Sequence, residues 1–110
     1  MASGVVVNPN GAVNIGTKVS LTPGAGNYYT APSDGYLLLV ADYMANAYTR
    51  ADICDSSNNR LIRLQVSNGS SNASGINSTL ISIKKGTIIE STSVSPSTSN
   101  GEIAFYPLTY

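Results

Sequence analysis

Histidine and tryptophan are absent from this chain, cysteine occurs once, and only 11% of its 110 residues are charged. Without histidine the chain lacks the usual acid–base group and the commonest metal ligand. The single Cys54 excludes an intrachain disulfide, and its neighbour Ile53 predicts a buried structural thiol rather than a nucleophile. We therefore expect neither an enzyme nor a bound cofactor.

Charge of one sign is also missing, because six basic and six acidic side chains cancel. Nucleic-acid binding needs clustered Lys and Arg, and the one adjacent basic pair, Lys84-Lys85, precedes Gly86 and predicts a turn. No apolar run approaches the roughly 18 residues that span a bilayer. The N-terminus lacks the pattern of a signal peptide. We expect no nucleic-acid partner, no membrane partner and folding in a reducing cytoplasm.

What the chain does contain is Ser, Thr and Asn between short apolar runs, with 42% hydrophobic residues. This pattern is typical of a folded, turn-rich β protein, and its length fits one small domain. No segment shows helical periodicity over three turns. The predicted strands are residues 5–8, 12–15, 17–22, 28–31, 36–44, 50–54, 60–67, 79–83, 87–94 and 102–108. Such spacing favours an antiparallel β-sandwich or jelly roll.

The segment 27–43 is the most informative part of the chain. Pro32, Asp34 and Gly35 predict a tight turn in which Gly35 can take positive φ. Residues 36–43 are then apolar except for Asp42, as in a strand that is covered on both faces. In so short a chain, a second sheet covers one face and self-association covers the other.

Three segments in order resemble the C1q/TNF-like jelly-roll family, which includes the trimeric knobs of phage fibres and needles. They are Tyr-Thr-Ala-Pro-Ser-Asp-Gly-Tyr-Leu-Leu-Leu-Val at 29–40, Leu-Ile-Ser-Ile-Lys-Lys-Gly-Thr-Ile-Ile-Glu at 80–90, and Ile-Ala-Phe-Tyr-Pro-Leu at 103–108. Together they cover about residues 27–108. The chain departs from the family pattern at Thr87, where an Asp is expected after the Lys-Lys-Gly turn, and no aromatic-rich cluster precedes the closing strand.

The resemblance implies an all-β jelly roll that assembles as a homotrimer, with one sheet of each subunit facing the threefold axis. Tyrosines would supply large contact areas there. The implied interface residues are Tyr36, Phe105 and Tyr106. We expect residues 1–25 to form an N-terminal arm and residues 26–110 to form the knob domain. Apolar runs at 5–7 and 12–15 suit an arm that docks on a neighbour by strand addition.

Candidate chemistry beyond assembly is sparse. Asp52 and Asp55 resemble a carboxylate pair for glycoside hydrolysis, but three residues apart on a strand they point to opposite faces. The polar loops 45–49, 68–78 and 95–101 suit contacts with sugars or proteins, or else are simply solvated. Within and beside them, the candidate partner-binding residues are Tyr48, Arg50, Asn72 and Asn77.

The leading hypothesis is a non-enzymatic phage virion structural protein, a trimeric surface knob that decorates the capsid or forms a small fibre projection. Its partners would be copies of itself and, through the N-terminal arm, other virion proteins. The alternative is the receptor-binding tip of a tail fibre that recognises a host-surface glycan or protein. A secreted signalling ligand is disfavoured because the chain lacks disulfides and a signal peptide.

Overall fold

A computed structural model describes residues 15–42, 44–69 and 75–109. Within these ranges the backbone forms strands and no helix, which confirms the predicted all-β class. The strands are β1 (Val19–Ser20), β2 (Tyr28–Thr30), β3 (Gly35–Asp42), β4 (Tyr48–Cys54), β5 (Arg60–Ser67), β6 (Ile76–Ile83), β7 (Ile88–Ser95) and β8 (Glu102–Pro107).

The strands build two antiparallel sheets of four. The first sheet has the order β1-β8-β3-β6, and the second has the order β2-β7-β4-β5. The pairing is nested: β1 pairs with β8, β2 with β7, β3 with β6, and β4 with β5. Each sheet is then completed by one further contact, β3 with β8 or β4 with β7.

The core lies between the two sheets, where inward-facing side chains alternate with outward-facing ones along each strand. The first sheet contributes Leu37, Leu39 and Phe105, and the second sheet contributes Ile89 and Ala51, all fully buried. The Phe105 ring packs on Tyr29 with centroids 5.7 Å apart. Phe105 is 0% exposed, so it offers no surface to another subunit. Its predicted place at a trimer interface is therefore corrected to a place in the core.

Gly35 has a different role from the one predicted. It begins β3 with φ outside the left-handed region. A Cβ there would clash with the carbonyl oxygen of Tyr106 and lie 2.5 Å from the Phe105 ring. Gly35 is thus required by the close approach of β8, whereas the turn at Lys84–Gly86 is the one that uses positive φ, at Gly86 (φ 89°). The two turns are joined because Lys85 N donates to Asp34 Oδ1 at 2.8 Å.

Most strand bounds match the predicted ones, and the differences arise from long-range pairing. β4 begins at Tyr48, which pairs with Ser67 and Ser95, and β6 begins at Ile76, which pairs with Asp42. The sandwich also starts before residue 26, because β1 pairs with β8 and Leu21 is buried in the core. The strand predicted at 5–8 lies outside the described residues, as do Asn72 and most of the predicted arm.

Candidate functional site

The outer face of the first sheet is apolar. Tyr36, Leu38 and Val40 alternate with the buried inner residues of β3 and are themselves only half-buried. Leu38 lies between Leu80 of β6 and Ala104 of β8 in the register of the sheet. Leu80 is 55% exposed. The described residues therefore cover β3 fully on its inner face only, and its outer face is partly open to solvent.

A groove of about 280 Å³ runs across this outer face. It crosses all four strand positions of the sheet, since its walls come from β3, β6, β8 and the segment that precedes β1. Contiguous apolar surface of this kind marks interaction sites rather than ordinary solvent-exposed surface. We call the outer side chains of this sheet the apolar face; its groove is lined by Ile15, Tyr36, Leu38, Leu80 and Tyr106.

A carboxylate closes one end of the apolar face. Asp42 ends β3 opposite Ile76 and is 9% exposed. Its Oδ1 is buried and has no hydrogen-bond partner among the residues that the structure describes. Because a buried polar atom without a hydrogen-bond partner costs free energy, Asp42 destabilises this end of the face in a single chain.

The outer face of the second sheet carries several polar side chains that pair with one another, beside the exposed Leu61. Arg63 donates from Nε and Nη2 to the two carboxylate oxygens of Asp52 at 2.9 and 3.0 Å. Arg50 donates twice to Gln65 Oε1, at 2.9 and 2.7 Å. The Arg50 guanidinium also lies 4.7 Å from the centroid of the Tyr48 ring. We call these outer side chains of β4 and β5 the polar face.

The pKa shifts of side chains on the second sheet follow from their contacts and their burial. The hydrogen bond from Arg63 lowers the pKa of Asp52, despite the opposing effect of burial. Backbone N–H groups of Asn59 and Ser57 lower the pKa of Asp55 at the hairpin end. Burial raises the pKa of the Cys54 thiol, so the thiol stays protonated at neutral pH. Cys54 occupies the buried strand position that the sequence predicts.

The predicted site residues fall into two separate groups. Tyr36 and Tyr106 are cross-strand partners on the apolar face. Tyr48 and Arg50 lie together on the polar face, as their contact shows. Asn77 has a structural role, because its Nδ2 donates hydrogen bonds to Ser67 O at 2.6 Å and to Asn68 Oδ1 at 3.1 Å.

Sequence reasoning missed Leu80, Leu38 and Ile15 as members of the apolar face. Leu80 stands in the mixed run Ser-Thr-Leu-Ile-Ser, whose alternation marks neither face clearly. Ile15 reaches the groove through a bridge to Leu108, which no local pattern reveals. Only the long apolar run of β3 carried a signal, and it pointed to coverage of both faces.

Other features of the described residues are small. A cleft of about 420 Å³ lies beside β1 and β2, where Ser91 Oγ donates to Thr22 O at 2.6 Å. No group of three metal-ligating side chains occurs in ranges 15–42, 44–69 and 75–109. No helix found there is long and apolar enough to cross a bilayer. Comparisons of the chain with protein-family models, curated proteins and solved structures gave no match.

Proposed function

We propose that this protein is a jelly-roll subunit that assembles into a homotrimer through its apolar face. The observation that carries the proposal is the contrast between the paired Arg63 and Arg50 of the polar face and the groove of exposed side chains on the apolar face. A subunit that worked alone would gain nothing from Leu80, Ile76 and Tyr36 on its surface. Packing against copies of the chain removes that surface from water, at about 25 cal/mol per Å² of apolar area.

The nested strand pairing supports the jelly-roll part of the proposal. A jelly roll has eight strands in two sheets and can be pictured as one long hairpin rolled up on itself. Pairs β1·β8, β2·β7, β3·β6 and β4·β5 are the ladder of such a hairpin. The additional pairs β3·β8 and β4·β7 join the layers of the roll.

A ring of three copies fits the position of the apolar face on one side of a flat sandwich. In a closed ring each subunit places this face toward the axis, and no apolar face remains outside. Tyr36 and Tyr106 suit such a contact, because their rings bury large areas while their hydroxyls stay hydrogen-bonded to water. The resemblance to trimeric jelly-roll knobs points to the same number of copies.

We further propose that the trimer is a non-enzymatic knob on the surface of a phage particle, where it decorates the capsid or forms a small projection. The resemblance to knobs of phage fibres and needles supports this role. The polar face would point away from the axis, and its charges are balanced within the subunit. Such a neutral, well-solvated exterior suits a protein that is displayed in many copies.

The solution mass of the purified protein tests the assembly. Light scattering at micromolar concentration should give three times the chain mass of 11.4 kDa. A stable monomer would contradict the proposal. Sedimentation with undecorated phage capsids then tests the role. A decorating protein should pellet with undecorated capsids and should not pellet with particles that already carry their decoration.

A receptor-binding tip is the second candidate function. Tyr48 and Arg50 favour it, because an aromatic ring beside a guanidinium offers a flat, hydrogen-bonding surface to a sugar. In that case the protein should bind host cells or purified surface polysaccharide. Arg50→Ala should weaken that binding while the solution mass stays that of a trimer. Binding to capsids but to neither host material would favour the first candidate.

A further inference from the structure

The two sheets have four edge strands, and three of them are protected against pairing with other chains. β1 has two residues and β2 has three, so neither presents a long row of free backbone groups. β5 has eight residues but carries Arg60 and Arg63, and its register with β4 shifts at Ile53 and Cys54. Shortness, charge and irregular register are the usual protections of an edge.

β6 has none of these protections. Its eight residues, Ile-Asn-Ser-Thr-Leu-Ile-Ser-Ile, include no charge, no Pro and no Gly. They pair with β3 in one unbroken register from Ile83 to Ile76. No backbone hydrogen bond joins the far side of β6 to another segment of the described chain. A long, regular and uncharged edge of this kind is a template for an added strand.

We propose that the free edge of β6 accepts, as an added strand, residues 5–7 of a second copy of this chain. The Val-Val-Val sequence of this segment has the highest preference for strands. No charged side chain occurs before Lys18, so the segment matches an edge that itself has no charge. The N-terminal arm, which is expected from the sequence to contact other virion proteins, then contacts another copy of the chain.

The start of the described chain lies close enough to β6 for such pairing. Ile15 lines the same groove as Leu80 of β6. The seven residues 8–14 reach about 23 Å when extended, whereas three strand spacings, the width of the first sheet from β1 to β6, measure about 14 Å. A linker of this length is longer than the sheet is wide, so residues 5–7 can extend beyond the sheet that carries them.

The choice of a second copy rests on the proposed function. Ile15 enters at β1, on the opposite side of the first sheet from β6. To reach its own β6, the arm would have to cross its own apolar face and exclude the neighbouring subunit. An arm that passes to the next subunit leaves the face free for assembly and links the copies by backbone hydrogen bonds.

Disulfide trapping in the full chain tests the proposal. In a Cys54→Ala background, Val6→Cys is combined with Ser78→Cys or with Thr79→Cys. Residues 78 and 79 point to opposite faces of β6, so one of them lies on the same face of the sheet as residue 6 of an added strand. The matched control joins Val6→Cys to Gln65→Cys on the protected edge β5. Non-reducing electrophoresis should show chains linked to one another for one β6 variant. These linked chains should form at least about tenfold faster than in the control, because pairing holds the two thiols at high effective concentration.

Links only within single chains, no links with either β6 variant, or equal links in the control would overturn the proposal. The light-scattering mass of the reduced variants separates this failure from that of the proposed function. A trimeric mass without β6 links would overturn the arm contact alone. A monomeric mass would overturn the proposed trimer as well. As a second measurement, Val6→Pro should reduce the hydrogen-exchange protection of β6 amides and leave β5 amides unchanged; unchanged β6 protection would contradict the added strand.

Discussion

The two outer faces of this sandwich differ in how completely each satisfies its own groups. On the polar face, Arg63 pairs with Asp52 and Arg50 pairs with Gln65, so that two of the cations there have partners within the same chain. On the apolar face, Leu80 is exposed and Asp42 has a buried oxygen without a partner in the described chain. A single chain thus pairs charged groups on the polar face, whereas it leaves apolar side chains exposed on the apolar face.

The difference shows which outer face of this β-sandwich is not needed for its own core. Each sheet needs one apolar side to build the core, and the inner residues Leu37 and Ile89 supply it. The second apolar side, on β3 and β6, adds nothing to the core of the subunit. This groove of apolar side chains on the first sheet makes the two outer faces of the molecule different, and we propose that it is the side that contacts copies of the chain.

The largest expected effect comes from placing a charge on the apolar face. Leu80→Lys should convert the trimer to monomers, because an unpaired ammonium would be buried at the contact; a loss of about a hundredfold or more in association is typical of such a central site. Light scattering against concentration measures it. The control is Leu61→Lys on β5, a leucine with a similar exposed fraction, 64% against 55%. If both variants stay trimeric, or both dissociate, the two faces are not distinguished as we argue.

On the polar face we expect an effect on stability and none on mass. Arg63→Met removes the partner of Asp52, which is itself almost fully buried, and should lower Tm by about 5 °C or more. Arg60→Met, on the same strand, is the matched control, since no ion pair of Arg60 occurs within the described residues. Thermal unfolding followed by circular dichroism checks both. Equal Tm values for the two variants would contradict the structural importance of the Asp52 pair.

The carboxylate at the end of the apolar face gives a smaller effect of opposite sign. Asp42→Asn replaces a carboxyl group whose buried oxygen has no partner in the described chain by a neutral amide, and should raise Tm by roughly 2–5 °C. The same substitution at Asp55 should lower Tm, because the Asp55 carboxylate accepts hydrogen bonds from Ser57 N and Asn59 N at 2.9 Å. A lowered Tm for Asp42→Asn would show that the carboxylate has a partner in the assembled protein.

Acid titration gives the smallest effect and tests the polar face alone. The pKa of Asp52 is lowered in the folded protein, so its stabilisation is fully present above the unfolded value of about 3.9 and is lost as pH falls through the folded pKa. The free energy of unfolding should therefore fall below about pH 4. Urea unfolding of the native protein and of Arg63→Met checks this, and the variant should lose less free energy over the same pH range.

The sequence predicted most strands because their signals are local. The apolar run of β3 and the Lys84–Gly86 turn lie within a few neighbouring residues, and both were located correctly. The extra first residues of β4 and β6 were missed, because Tyr48 and Ile76 join strands only through partners far along the chain.

The assignment of faces was harder, because a shift of one residue moves a side chain to the other side of a sheet. Phe105 and Tyr106 are adjacent aromatics, and both were predicted at the interface. The register Leu37 with Phe105 turns Phe105 into the core, and Tyr36 with Tyr106 turns Tyr106 outward. The pairing of β3 with β8 decides which of these two side chains points outward. Nothing in the sequence near residue 105 encodes that pairing.

The nested pairing also sets an order for folding. The β4–β5 hairpin closes over a short turn, whereas Val19 must find Phe105, 86 positions further along (105 − 19). Because the entropy of closing a loop grows with its length, the innermost hairpin should form first and the pair β1–β8 last. On the ribosome, the first sheet must wait for β8, which lies between β1 and β3, so the apolar face is completed only after residue 107 has been synthesised.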